Sequence, residues 1–320
     1  MLSGKRRLPV LTHHLPPPYL HCALTMDAVA NMRETEIKEI LGPTISAFVP
    51  LLEPLRTEIE SARKTFRYGD TDRHQLDVYY PPAATDGAKH PVLFFVYGGG
   101  FVNGARTFPA PTDLGYGNVG LYFAKQGFVT VIPDYRLAPA TTFPGPAEDV
   151  RAALAWAVAH PADLGDSADL ERVFLMGHSA GGVHAFTVPY HPPSRTPVPG
   201  LPLRGVVLVS VPFHFDFPGM GSTGDVYYGS PGGTAAHSPL ALLKAAPEFV
   251  PPPLALVQGE RDPPGFFVVA KDFNGALAEQ GIVPTQIAAK GHNHISLTWA
   301  LGTGQGEAWA EEVAKWMQGL

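Results

Sequence analysis

The chain has 320 residues, 45% of them hydrophobic and 16% charged, which is enough apolar surface for a large core and too little charge for a disordered chain. Its 34 glycines and 34 prolines exclude a helical bundle or coiled coil as the whole architecture, and a net charge of −6 offers no field to a nucleic-acid backbone. The single cysteine, Cys22, excludes an intrachain disulfide and a cysteine-rich zinc site, and favours a reducing, cytoplasmic setting.

Residues 1–25 begin basic, but Pro9 and Pro16 to Pro18 break the apolar stretch, so they read as a proline-rich N-terminal extension or an upstream start ahead of Met26 rather than a signal peptide. Residues 26–63 carry Met32, Ile37, Ile40 and Leu41 mostly at three- and four-residue spacing, with a break at Gly42-Pro43. This predicts two short helices. Strands are then expected at 76–80, 92–96 and 129–132, with a helix near 121–126 between the last two. A helix at 146–159 and strands at 173–176, 206–211, 254–257 and 285–289 continue the rhythm. These runs are short and apolar without alternation, the pattern of strands buried on both faces in a parallel sheet covered by helices. No apolar run reaches the roughly 18 residues that span a bilayer, so no membrane partner is expected.

Residues 212–250 break that rhythm with six glycines and an exposed-looking aromatic set of Phe213, Phe215, Phe217, Tyr227 and Tyr228. A stretch of this length without a strand pattern reads as a lid. Phe213, Phe215 and Tyr227 are expected to touch substrate, and His214 to face substrate or solvent.

The chemistry is concentrated in Gly177-His178-Ser179-Ala180-Gly181-Gly182, directly after the 173–176 strand and before a helix expected at 182–186. This is G-x-S-x-G in the strand-turn-helix context that a nucleophilic serine requires. Chance would supply that pattern roughly 0.1 times in such a chain, before the context is imposed. His178, inside the turn, is expected to pack beside the sheet or the neighbouring glycine loop. That loop is Tyr97-Gly98-Gly99-Gly100-Phe101, at the end of the 92–96 strand. Its bare backbone lets the N–H groups of Gly98 and Gly99, with that of Ala180, form an oxyanion hole.

Together with Asp134-Tyr135-Arg136-Leu137-Ala138-Pro139, Phe143-Pro144 and Glu148-Asp149, these motifs resemble the hormone-sensitive-lipase-like branch of the α/β-hydrolases over about residues 64–320. The family pattern is H-G-G-G, and Tyr97 stands where the histidine would be. That histidine braces the loop, which a tyrosine hydroxyl could also do, and Tyr97 is also expected to border the substrate. The resemblance implies an α/β-hydrolase core from residues 64–211 and 251–320, with a cap from residues 26–63 and 212–250.

The triad acid should follow the 254–257 strand, where Glu260 and Asp262 both stand. Asp262-Pro263 resembles the family's D-P-L, which favours Asp262. The base should follow the 285–289 strand, where His292 and His294 both stand, and the family spacing G-x-x-H favours His294. A metal reading of His292 with His294, or of His13-His14, lacks companion ligands at zinc spacing, so no metal or cofactor is expected. The resemblance implies a carboxylesterase acting on short-to-medium acyl or aryl esters, a small-molecule substrate. Amide, formamide and lactone hydrolysis use the same constellation, and a non-catalytic ligand-binding protein on this fold and a metal hydrolase are the alternatives from other classes. Members of that branch often pair through sheet-edge elements, so the oligomer implied is a homodimer.

Overall fold

A computed structural model describes residues 25–82, 87–192, 198–216, 221–229 and 232–320. Among these residues eight strands occur: β1 (Arg63–Arg67), β2 (Gln75–Tyr79), β3 (His90–Val96), β4 (Val129–Pro133), β5 (Ala168–His178), β6 (Leu203–Val209), β7 (Leu254–Arg261) and β8 (Thr285–Asn293). They form one sheet in the order β1-β2-β4-β3-β5-β6-β7-β8. β2 runs antiparallel to β1 and β4, and every other neighbouring pair is parallel. The expected mostly parallel sheet is therefore present, and its central strands are buried on both faces, as Val92 to Val96 and Val173 to His178 illustrate.

The helices are α1 (Thr25–Ala30), α2 (Ile37–Leu52), α3 (Arg56–Ala62), α4 (Gly117–Lys125), α5 (Gly145–Ala159), α6 (Ala180–Tyr190), α7 (Gly221–Tyr228), α8 (Gly233–His237), α9 (Pro239–Lys244), α10 (Pro264–Glu279), α11 (Ser296–Trp299) and α12 (Ala308–Gln318). Parallel strands need crossovers, and α4, α5, α6 and α10 supply them between successive strands.

Three expectations are corrected. α2 does not break at Gly42-Pro43 but runs through it and through Pro50. Each proline costs about 3 kcal/mol in a helix interior, whereas burying Ile40, Phe48 and Leu52 on one stripe stabilises by about 1.5–3 kcal/mol per side chain. Packing carries the helix across both prolines. β1 was not foreseen, because Arg63-Lys64-Thr65-Phe66-Arg67 is a half-exposed edge strand with no apolar run.

Residues 212–250 contain α7, α8 and α9 and, among the described residues, no strand. Their aromatic residues are not exposed. Phe213, Phe215, Tyr227 and Tyr228 are all buried in the main core, while Phe217 lies outside the described residues.

The parallel strands all present their carboxyl ends on one edge of the sheet. Tyr97 follows β3, Ser179 follows β5, Ser210 follows β6, Asp262 follows β7 and His294 follows β8. That edge is where open α/β sheets place ligand sites.

Candidate active site

Ser179 joins β5 to α6 in a conformation that few side chains adopt, with φ 54° and ψ −126°. The turn is held by the Ser179 amide, which donates to the Val209 carbonyl at 2.9 Å, and by the Gly182 amide, which donates to the Ser179 carbonyl at 2.9 Å. A Cβ on Gly181 would collide with the carbonyl oxygens of Val96 and Tyr97, so the helix can start this close to β3 only with glycine there. The first N–H groups of α6 have no acceptor within the helix, and they stand beside Ser179. An oxyanion forming there would meet a partial positive charge.

The glycine loop lies against this turn. A Cβ on Gly98 would lie 2.9 Å from Cβ of Ser179. Gly99 has φ 137°, and its carbonyl accepts from the Asn103 amide at 3.0 Å, which closes the loop on itself. Tyr97 anchors the whole segment. Its hydroxyl donates to Asp134 Oδ1 at 2.6 Å and accepts from Arg73 Nη2 at 2.8 Å, and its carbonyl accepts from the Tyr135 hydroxyl at 2.8 Å. Asp134 in turn accepts from the Arg106 amide at 2.7 Å and from Arg106 Nη1 at 2.5 Å. The Tyr97 ring is fully buried and stacks between Tyr116 and Tyr135, and burial raises its phenol pKa well above the usual value, so the hydroxyl stays protonated. Tyr97 is therefore held away from substrate and braces the loop, contrary to the expectation that it borders the substrate.

Of the two carboxylates at the end of β7, Asp262 is buried and accepts from Nδ1 of His294 at 2.9 Å. Glu260 is exposed and accepts from the Gly291 amide at 2.7 Å. The two histidines at the end of β8 also separate. His292 uses Nδ1 toward the Ser296 hydroxyl at 3.0 Å and Nε2 toward the Gly306 carbonyl at 2.6 Å, so neither nitrogen is open to a reactant or a metal. His294 donates from Nδ1 to Asp262, which leaves Nε2 as the nitrogen with the lone pair. That Nε2 is buried and, among the described residues, has no hydrogen-bond partner. His13 and His14 lie outside the described residues.

His178 meets the base from below. Its Nε2 lies 3.0 Å from the His294 carbonyl and its ring centroid 4.8 Å from that of His294. Facing a carbonyl, Nε2 must carry the proton. Burial, and then the neighbouring imidazole, push the His178 pKa well below the usual value, so it stays neutral beside a base that must charge. Phe266 covers the other side of His294, with centroids 4.6 Å apart.

The aromatic residues expected to touch substrate pack mainly on protein. Phe213 stacks on Phe273 at 3.9 Å, and Tyr227 stacks on Phe101, the residue after the glycine run, at 4.4 Å and 5°. Phe215 lies 5.9 Å from the same Phe101. Tyr227 of α7 and Phe215, which precedes that helix, thus both meet Phe101, and Phe213 belongs to the packing of α10. His214 is engaged with Asp272 at 3.0 Å. The sequence reading missed Arg73, Arg106 and Ser210, which carry no motif of their own.

The BD-FAE family model matches residues 76–191, the stretch holding the glycine loop and the serine turn. Esterase LipI of Mycobacterium tuberculosis is 36% identical over 111 residues, 35% of this chain and 32% of that protein. Esterase LipC of the same organism is 36% identical over 133 residues, 42% of this chain and 31% of that protein. The chain thus spans about a third of the length of these curated relatives. Esterase B from Lactobacillus rhamnosis superposes with a TM-score of 0.65 at 18% identity, covering 88% of this chain and 95% of that one. The chain has the α/β-hydrolase fold, and over its matched stretch it is similar to these esterases. An esterase from Pyrobaculum calidifontis shares that fold over 93% of this chain and 97% of its own, at a TM-score of 0.65 and 18% identity. The family-model match ends at residue 191, before Asp262 and His294. Among the described residues no helix is long and apolar enough to cross a membrane.

Proposed function

We propose that the protein is a serine carboxylesterase that cleaves short-to-medium acyl or aryl esters through an acyl-enzyme. The observation that carries this reading is the buried, partnerless Nε2 of His294, whose other nitrogen is committed to Asp262, on the same sheet edge as the strained turn that holds Ser179. A neutral imidazole fixed in that tautomer is a general base.

In this mechanism Oγ of Ser179 attacks the ester carbonyl carbon while its proton passes to Nε2 of His294. Asp262 orients the ring and stabilises the imidazolium. The N–H groups of Gly98, Gly99 and Ala180 stabilise the tetrahedral oxyanion. Collapse breaks the bond to the alcohol oxygen, which leaves with the proton from His294. Water then attacks the acyl-enzyme by the same route, releasing the acid and restoring Ser179.

Residues 26–63 and 212–250 serve as the cap over this edge in the same reading, supported by the contact of Tyr227 and Phe215 with Phe101. β8 lies at the sheet edge, which supports pairing of two copies there, and the single cysteine fits a cytoplasmic setting.

The test is a panel of p-nitrophenyl esters of graded acyl length beside lactones, arylformamides and anilides, with Ser179→Ala as control. The reading expects turnover of short and medium esters that vanishes in Ser179→Ala. Preference for a lactone or formamide by orders of magnitude in kcat/KM would reassign the substrate, and ester turnover that survives in a folded Ser179→Ala would remove the nucleophile.

A further inference from the structure

Ser210 stands directly after β6, between the residues that hold the nucleophile and the acid. Its predecessor, Val209, accepts the amide proton of Ser179. Ser210 itself has φ 47°, a left-handed conformation uncommon outside glycine, and it is buried. Its amide donates to the Val257 carbonyl at 2.8 Å, tying it to β7. An outlier of this kind persists only where the surroundings enforce it, and it is a reason to ask what the side chain gains.

The side chain gains one contact with the acid. Oγ of Ser210 donates to Oδ2 of Asp262 at 2.5 Å. The Gly259 amide donates to the same oxygen at 2.9 Å, and so does Nε2 of Gln258. Oδ1 is left to the single bond from His294. The two carboxylate oxygens therefore have separate tasks: Oδ2 takes three donors and Oδ1 takes the imidazole. A carboxylate with only one oxygen fixed can rotate about its Cβ–Cγ bond, and rotation would carry Oδ1 off the imidazole. Three donors converging on Oδ2 oppose that rotation.

Gly259 and Gln258 lie within four residues of Asp262 and belong to the same turn, so they move with it. Ser210 is the donor that comes from another strand, 52 residues away in sequence. We infer that Ser210 is a positioning residue for catalysis, its strained backbone aiming a hydroxyl that fixes the Asp262 carboxylate relative to β6 and therefore relative to Ser179. The inference rests on the reading of Asp262 as the triad acid given above.

The experiment compares Ser210→Gly, Ser210→Ala and Asp262→Ala with the parent protein for kcat and KM on p-nitrophenyl butyrate, and for Tm. Glycine accepts φ 47° without strain and alanine does not, yet neither carries a hydroxyl. If the hydroxyl positions the acid, both Ser210 variants lose kcat by about tenfold with KM held within about twofold, whatever their Tm. A Ser210→Gly variant at the parent kcat beside an inactive Asp262→Ala overturns this inference alone, since only the backbone conformation would then matter. An Asp262→Ala variant at the parent kcat overturns the triad reading itself.

Discussion

The hydroxyl of Tyr97 donates to Oδ1 of Asp134 at 2.6 Å and joins the glycine loop after β3 to the loop after β4. The H-G-G-G pattern that this loop resembles has a histidine at this position, and here a phenol, two arginines and a carboxylate meet instead. Arg106 lies 2.5 Å from Oδ2 of Asp134 and 3.1 Å from Oδ1 of Asp77, so a single guanidinium ties the glycine loop to β2 as well. Gly98 and Gly99 can be aimed at an oxyanion only while that frame holds.

Tyr97→Phe should remove two hydrogen bonds, one of them to a carboxylate, without leaving Asp134 or Arg73 unpaired, because each keeps another partner. The expected loss is about 1.5–3 kcal/mol of stability in urea unfolding, with kcat falling more than KM rises. Asp134→Ala should cost more, about 3 kcal/mol, because the Tyr97 hydroxyl, the Arg106 amide and Nη1 of Arg106 all lose their acceptor, although the guanidinium keeps Asp77 and Gln75. A Tyr97→Phe protein with parent stability and kcat would show that the hydroxyl braces nothing.

Acid should destabilise the fold through its buried histidines. His184 on α6 is fully buried among Phe101, Tyr135 and Tyr227, and burial pushes its pKa from 6.5 down to about 3. Between those two values the unfolded chain binds a proton that the folded chain does not. Stability is therefore intact above about pH 6.5 and falls by up to ~1.4 kcal/mol for each pH unit below it. His178 and His292 shift in the same direction and add to the slope. In Tm measurements from pH 7.5 to 5, His184→Leu should start lower, having lost the contact to the Tyr227 hydroxyl at 3.2 Å, but fall less steeply. Parallel curves for the two proteins would exclude His184 as a source of the acid sensitivity.

How much of this was legible follows from the kind of signal each part carries. Strands such as Val92 to Val96 announce themselves because burial on both faces demands apolar residues throughout. The serine turn and the glycine loop announce themselves because backbone packed on backbone tolerates no Cβ. β1 could not be read, since a polar edge strand is defined only by its partner. α12 has Trp309, Val313 and Met317 at four-residue spacing, a helical signal that the sequence offers and the expectations did not use. Two ambiguities needed three dimensions: Glu260 lies two residues from Asp262 and His292 two from His294, and only the folding of β7 beside β8 gives each its partner. The aromatic residues of 212–250 were misjudged because an aromatic amid glycines looks like loop in one dimension, whereas Tyr227 is seated on Phe101 from α7.

Two glycine-to-alanine changes should separate close approach from mere flexibility. Gly275 lies within α10, and a Cβ there would meet nothing within 4 Å. Alanine at that position lowers the entropy of the unfolded chain and suits a helix better, so Gly275→Ala should raise stability by about 0.5–1 kcal/mol with activity unchanged. Gly181 also lies within a helix, α6, and propensity alone predicts the same gain. Its Cβ, however, would collide with the carbonyl oxygens of Val96 and Tyr97, which are backbone atoms at the end of β3 and just after it and cannot turn aside as a side chain could. Gly181→Ala should therefore push α6 away from the glycine loop, displace Ser179 from Gly98 and abolish ester turnover, either in a folded protein of lower Tm or by preventing folding. Calorimetry on both variants, with turnover of p-nitrophenyl butyrate, decides the matter. A Gly181→Ala protein that gained stability as Gly275→Ala does, and kept its activity, would mean that β3 and α6 do not meet as closely as described.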